Sequence, residues 1–176
     1  MSTIVYNLDP THSEVGFRIK HMMFTNVSGK FNDFNVSLST EGEDFTTASV
    51  RFEAAVSSID TNNTDRDNHL KSADFFDADN FPKMIFESKK INVNSDGTYT
   101  LSGDLTIKEV TRPAELKVEY SGFLKDPWGN TKIAVSVEAK INRKDFGLTW
   151  NAALETGGVL VGEDVKILAE LQFVKQ

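Results

Sequence analysis

A chain of 176 residues, 39% hydrophobic and 26% charged, is sized for one well-buried core, and no Pro/Ser-rich linker divides it. A net charge of −7 with no basic run repels a phosphate backbone and excludes nucleic acid as the expected partner. The absence of cysteine removes disulfides, thiolate nucleophiles and Cys-based zinc or iron–sulfur sites.

The opening "MSTIVYNLDP" has neither a basic n-region nor a continuous apolar h-region, and no apolar run reaches the roughly 18 residues of a spanning helix. The expectation is a soluble, cytoplasmic protein without stable membrane insertion. The N-x-S/T matches at Asn26, Asn35 and Asn62 are chance occurrences in such a chain.

From there the dominant period is two, the mark of strands with one wet and one dry face. Strands are expected at Ser13 to Phe24, Phe31 to Leu38 and Ala48 to Ile59. One helix interrupts them, from about Asp65 to Ser72, with Thr64 as its expected N-cap, Asp67 as the acid of a capping box and Asp65 at the positive end of the dipole. Pro82 then forces extended chain into a strand from Met84 to Val93. In "YTLSGDLTI" the residues Tyr99, Leu101, Gly103, Leu105 and Ile107 share a face. "ELKVEYSGF" repeats the pattern with Leu116, Val118 and Tyr120, and "KIAVSVEAKIN" with Ile133, Val135, Val137, Ala139 and Ile141. Val165, Ile167, Ala169, Leu171 and Phe173 end the chain in the same way. Turn signals at Ser95 to Gly97, Asp126 to Asn130, and Gly157 with Gly158 make most neighbours antiparallel hairpins. The fold class is therefore mainly all-β, about eight strands with one short helix as a lid. A barrel is preferred over a sandwich because closure removes exposed edges.

Chemistry is concentrated in "SSIDTNNTDRDNHLKSADFFDADNFPKMIF", Ser57 to Phe86. As a calcium loop "DTNNTDRDNHLK" fails, since its sixth position is Asp65 instead of glycine and its twelfth is Lys71 instead of glutamate. The acids Asp60, Asp65, Asp67, Asp74, Asp77 and Asp79 read better as caps and solvated turn residues, with Arg66 available to pair with them, than as an acid/base pair. His12, His21 and His69 show no H-x-H or HExxH spacing, and neither a nucleophile elbow nor a phosphate loop is present. No catalytic residue, metal or cofactor is expected. Period two does place His21 on the face of Phe17 and Ile19, as a polar group in an apolar lining.

What the sequence offers instead is apolar mass, with 13 phenylalanines, Trp128, Trp150 and three tyrosines. A barrel of this size encloses a ligand-sized space, and small residues such as Gly103, Ala139 and Ala169 leave room inside it. Periodicity assigns its wall to Phe17, Ile19, Phe52, Phe86, Leu101, Leu105, Val118, Tyr120, Val135, Val137, Phe146, Trp150 and Ile167, with His21 among them; about half are expected to touch a ligand.

Five stretches in fixed order carry a resemblance: "LDPTHSEVGFRIKHMMFTNVSGKF", "SSIDTNNTDRDNHLKSADFFDADNFPKMIFES", "LSGDLTIKEVTRP", "INRKDFGLTW" and "VGEDVKI". Across nearly its whole length the chain resembles the YceI-like family of polyisoprenoid-binding proteins. The resemblance implies an extended, lipocalin-like antiparallel barrel whose apolar tunnel takes up an isoprenoid chain or another long-tailed amphiphile, by binding without catalysis. It marks His12, His21, Arg66, Asp67, His69, Leu70, Phe75 and Phe76 as signature positions without giving them a reaction. Many relatives look exported, whereas this sequence shows no leader. The expected partner is a long-chain isoprenoid, such as an isoprenoid-quinone precursor, or another lipid, with a homodimer left open. A fatty acid or fatty amide is the nearest alternative guest. The alternatives of another class are a lipid-modifying enzyme using His21 or the lid acids, and an interaction domain whose barrel is filled. Gly29, Gly157 and Gly158 are the expected flexible points.

Overall fold

A computed structural model describes residues 2–152 and 160–176. Twelve strands and one α-helix make up the described chain: β1 (Thr3–Leu8), β2 (Glu14–His21), β3 (Thr25–Phe31), β4 (Phe34–Glu41), β5 (Asp44–Ala55), β6 (Ile59–Asp60), α1 (Thr64–Lys71), β7 (Lys83–Val93), β8 (Tyr99–Ile107), β9 (Val110–Tyr120), β10 (Leu124–Lys125), β11 (Thr131–Asn142) and β12 (Val161–Lys175). Every pairing is antiparallel, and β11, β9, β8, β7, β5, β4, β1 and β12 close a ring of eight strands. The expected barrel is the observed one. The inward sets read from period two on β8, β9, β11 and β12 are the buried or half-buried sets, from Leu101, Leu105 and Ile107 through Ile133 to Phe173.

The seam of the barrel runs along β12. One edge of this strand pairs with β11 from Asp164 to Val174. The other edge is shared: β1 takes its last residues, with Leu8 opposite Phe173, and β2 takes the stretch from Val161 to Glu170. Between β1 and β2 a single 3₁₀ turn, Pro10–His12, steps the chain along that edge. Asp9 caps the turn, and hydrogen bonds from His12 and Thr11 hold its carboxyl down at about 2. Ser13 fills the gap in the ladder, its hydroxyl donating to the Asp9 carbonyl and accepting from the Gln172 amide.

Several boundaries differ from those expected. The strand read from Ser13 to Phe24 ends at His21, because Met22 and Met23 adopt positive φ (51° and 63°) and turn the chain into β3. Neither residue is a turn former, so the sequence carries no signal there. β1 was hidden because Ile4, Val5 and Tyr6 are consecutively apolar, although only Tyr6 is buried. β5 starts earlier than Ala48 and gives way at Val56–Ser58 to a 3₁₀ turn.

One half of the barrel is solid. Phe45 stacks on Tyr120 with centroids 3.9 Å apart and meets Tyr99 edge-on at 5.0 Å. Tyr6 shares a hydrogen bond of 3.2 Å with the buried Thr40, and Leu38, Leu101, Val118, Ile133, Val135 and Phe173 complete the filling. Burial among these rings pushes the Tyr120 hydroxyl up to about 12.

Candidate apolar cavity

The other half is hollow. Its wall comes from β2, β3, β4, the middle of β5, β7, β8, β9, β11 and β12, and the sequence folds this way because each strand presents one apolar face inward. Among the wall strands β3 bears Gly29, where a Cβ would lie 2.4 Å from the Phe17 ring and 2.8 Å from Thr61 Cγ2. Gly29 is therefore the notch into which the Phe17 ring folds, in the middle of a paired strand, and not a hinge. The other expected flexible points, Gly157 and Gly158, lie outside the described residues.

The helix closes this end. Its N-cap is Asn63, whose side-chain oxygen accepts from the Arg66 amide at 3.0 Å, and not the expected Thr64. Asn63 takes the role because its amide oxygen reaches the orphan donor one residue earlier. The expected capping-box acid, Asp67, instead reaches back to Thr61, accepting from its amide at 2.8 Å and its hydroxyl at 2.5 Å. Among the described residues Arg66 does not pair with an acid: it donates to the same Thr61 hydroxyl at 2.8 Å and to the Thr61 carbonyl at 2.7 Å. Thr61 is buried, so these charged side chains satisfy a polar residue at the edge of an apolar space. At the other end of α1, His69 bonds Asp74 at 2.9 Å and presents its ring edge-on to Trp150 at 4.7 Å and Phe75 at 5.2 Å. The signature residues thus clamp α1 to β6 and to the segment around Trp150.

The space beneath is a cavity of about 550 Å³. Phe17, Ile19, His21, Phe52, Phe86, Leu105, Val137, Trp150 and Ile167 line it, as do Arg66, His69, Leu70, Phe75 and Phe76 from the helical segment. The remaining expected wall residues lie elsewhere. Leu101, Val118, Tyr120 and Val135 point inward but belong to the solid half, and Phe146 is buried on a 3₁₀ turn (Arg143–Phe146) packed against β9. Period two states which face a residue is on and says nothing of its depth along the barrel axis. Of the small residues only Ala169 opens onto the cavity; Gly103 is overlain by the Phe86 ring and the Glu87 carbonyl. Asp67 touches Thr61 and does not line the space.

The exposed polar lining is confined to one region, while Thr61 and Arg143 line the space as buried residues. Among the described lining residues only Lys20, Asn63 and Asp65 are exposed, which puts the opening between the end of β2 and the first turn of α1. His21 sits nearby at the end of β2, whereas His12 is remote from it and tied to Asp9. The largest omission from the sequence reading is Arg143. It is 2% exposed, and its guanidinium donates to the carbonyls of Gly162 (2.7 Å), Leu148 (2.5 Å), Trp150 (2.9 Å) and Val161 (3.3 Å). Burial lowers its pKa from the ordinary guanidinium value, and the four carbonyl dipoles stand in for a counter-ion. It ties the chain after β11 to the start of β12. The run "INRKDFGLTW" contains it, but nothing in the residue order marks this arginine as buried.

An antiparallel eight-stranded barrel, packed at one end and enclosing an apolar cavity under a helix at the other, defines a lipocalin-like binding architecture. Residues 6–173 match the YceI-like domain, and the chain belongs to that family. It is 41% identical over 169 residues to a UPF0312 protein of Staphylococcus aureus strain N315, covering 96% of each chain, and equally close to one from Staphylococcus epidermidis strain RP62A. Among solved structures, the Campylobacter jejuni YCEI protein superposes with a TM-score of 0.75 at 31% identity, over 97% of this chain and 98% of that one. BcnA of Burkholderia cenocepacia shares the fold at 21% identity, with a TM-score of 0.79 over 94% and 99% of the two chains. A polyisoprenoid-binding domain of Saccharophagus degradans shares it at 14% identity, with a TM-score of 0.67 over 98% and 99%.

Proposed function

We propose that this protein binds one isoprenoid, or a comparably long apolar chain, tail-first in the cavity and carries it without chemical change. The observation that carries the reading is the 550 Å³ space whose lining is mainly apolar and whose exposed polar residues gather at the opening. An engineered apolar cavity of about 150 Å³ holds a benzene, so at equal density this one holds on the order of 20 carbons, or about four isoprene units. Each methylene buried contributes about 0.8 kcal/mol, which supports tight retention without a charged anchor. The likeness in fold to a domain described as polyisoprenoid-binding supports the same class of guest. In this reading His21 and Arg66, which line the cavity near its opening, meet the head group.

Organic extraction of gently purified protein, followed by mass spectrometry and by uptake of added geranylgeraniol, tests the reading. The expected result is one long-chain lipid per protein; an empty extract combined with no uptake overturns it. A fatty acid recovered in its place assigns the same cavity to the alternative guest. Conversion of the bound lipid, lost in His21→Ala while uptake persists, replaces carriage with catalysis.

A further inference from the structure

The turn joining β2 to β3 carries three large apolar side chains in water. Met22 is 55% exposed, Met23 62% and Phe24 84%. Their presence runs against local backbone preference, because Met22 and Met23 occupy the left-handed region that asparagine or glycine fills in tight hairpins. The turn is nonetheless well fixed: the Met22 amide donates to the Leu160 carbonyl at 2.8 Å, Phe24 to His21 at 3.3 Å, and the Thr25 hydroxyl to His21 at 3.1 Å. Apolar side chains are thus held out on a firm support, the opposite of what solubility favours.

Charge sorts in the same direction. From Val15 to Phe31 there is no acidic residue, while Arg18, Lys20 and Lys30 are exposed, in a chain whose net charge is −7. Among the described residues none of these three is in an ion pair. The acids of β12 beside the hairpin are already neutralised, Glu163 by Lys144 at 2.8 Å and Asp164 by Lys140 at 3.3 Å. Apolar tip and cationic stem together match a bilayer surface bearing anionic head groups, where apolar side chains enter the acyl boundary and cations face phosphate.

The position of the hairpin supplies the reason for such a contact. Its own residues Ile19, Lys20, His21 and Val27 form part of the cavity wall and its opening. The geometry points to the β2–β3 hairpin as a docking element that seats the cavity mouth against an anionic lipid bilayer, so that a tail passes between membrane and barrel without crossing water. The inference rests on the lipid-binding reading of the same cavity, and its test is separable from that reading.

Flotation with vesicles of phosphatidylcholine containing about 30 mol% phosphatidylglycerol measures docking directly. The protein is expected to float with them. The combined variant Met22→Ser, Met23→Ser and Phe24→Ser is expected to reduce the bound fraction about tenfold. Arg18→Gln with Lys30→Gln is expected to remove the advantage of the anionic lipid, as is high salt. Trp128→Ser changes an equally exposed ring (82%) on the β10–β11 turn, at the solid end, and is expected to leave flotation intact. Failure of the unaltered protein to float, or equal flotation of the triple serine variant, overturns the proposal. Uptake of geranylgeraniol from ethanol solution reads the cavity alone. If no protein takes it up yet flotation still depends on the tip, docking stands and the cavity reading falls.

Discussion

The two halves of the barrel share most of their strands and the same alternation, yet one is full and the other empty. In the solid half, Phe45, Tyr99 and Tyr120 interlock and Phe173 and Ile133 are almost wholly inaccessible. In the hollow half comparable rings, among them Phe17, Phe52 and Trp150, stand around a space they do not fill. The difference lies in what closes the end. The solid half is ringed by continuous strand pairing through β1 and β4, whereas the hollow half is roofed by α1 and a short β6 on polar clamps. Stability is therefore concentrated at one end and capacity at the other.

Truncation separates the halves most sharply. Phe173→Ala in the solid half is expected to cost about 4 kcal/mol in urea unfolding, because its neighbours cannot collapse into the gap. Phe52→Ala, beside space that already exists, is expected to cost about half as much while enlarging the cavity. Equal losses would break the comparison. Next in size is Arg143→Met, which removes the guanidinium from four carbonyls of the hollow half, of which Val161 keeps a second donor in the Asn151 side chain. It is expected to cost about 3 kcal/mol and to loosen the segment around Trp150 first, read by hydrogen exchange at residues 148–152 and 160–162.

Filling is the complementary operation. Ala169→Phe projects into the cavity and is expected to abolish lipid uptake with a stability change within about 1 kcal/mol. Val118→Phe, in the solid half, is expected to cost about 2 kcal/mol by overpacking and to leave uptake unchanged. The smallest effect is a pH dependence confined to the solid half. The folded protein binds the Tyr120 proton more tightly than the unfolded chain does, so this contribution is complete below pH 10 and declines as pH rises toward 12. Tyr120→Phe is expected to flatten that alkaline decline in thermal unfolding scans.

The barrel was legible because alternation survives in β8, β9, β11 and β12 over nine to fifteen residues, long enough to fix the inward face. The cavity was legible only as a face. Leu101 and Leu105 sit on one strand, four residues apart and both inward, yet one packs in the solid half and the other lines the space; sequence alternation contains no coordinate along the axis. The β2–β3 turn escaped notice because Met22 and Met23 are not turn residues. Arg143 escaped because its partners are backbone carbonyls, which have no letter in the sequence.

The step of Pro10–His12 along β12 has a mechanical meaning. Because β1 and β2 divide one edge of β12, the rim and the base of the vessel are stitched by different threads. Parting β3 from β6, joined in the described chain by Phe31 with Ile59 and Lys30 with Asp60, breaks two pairs and none of those between β1 and β12. On the proposed reading, the rim would yield to a guest while the pairs at the base stay closed.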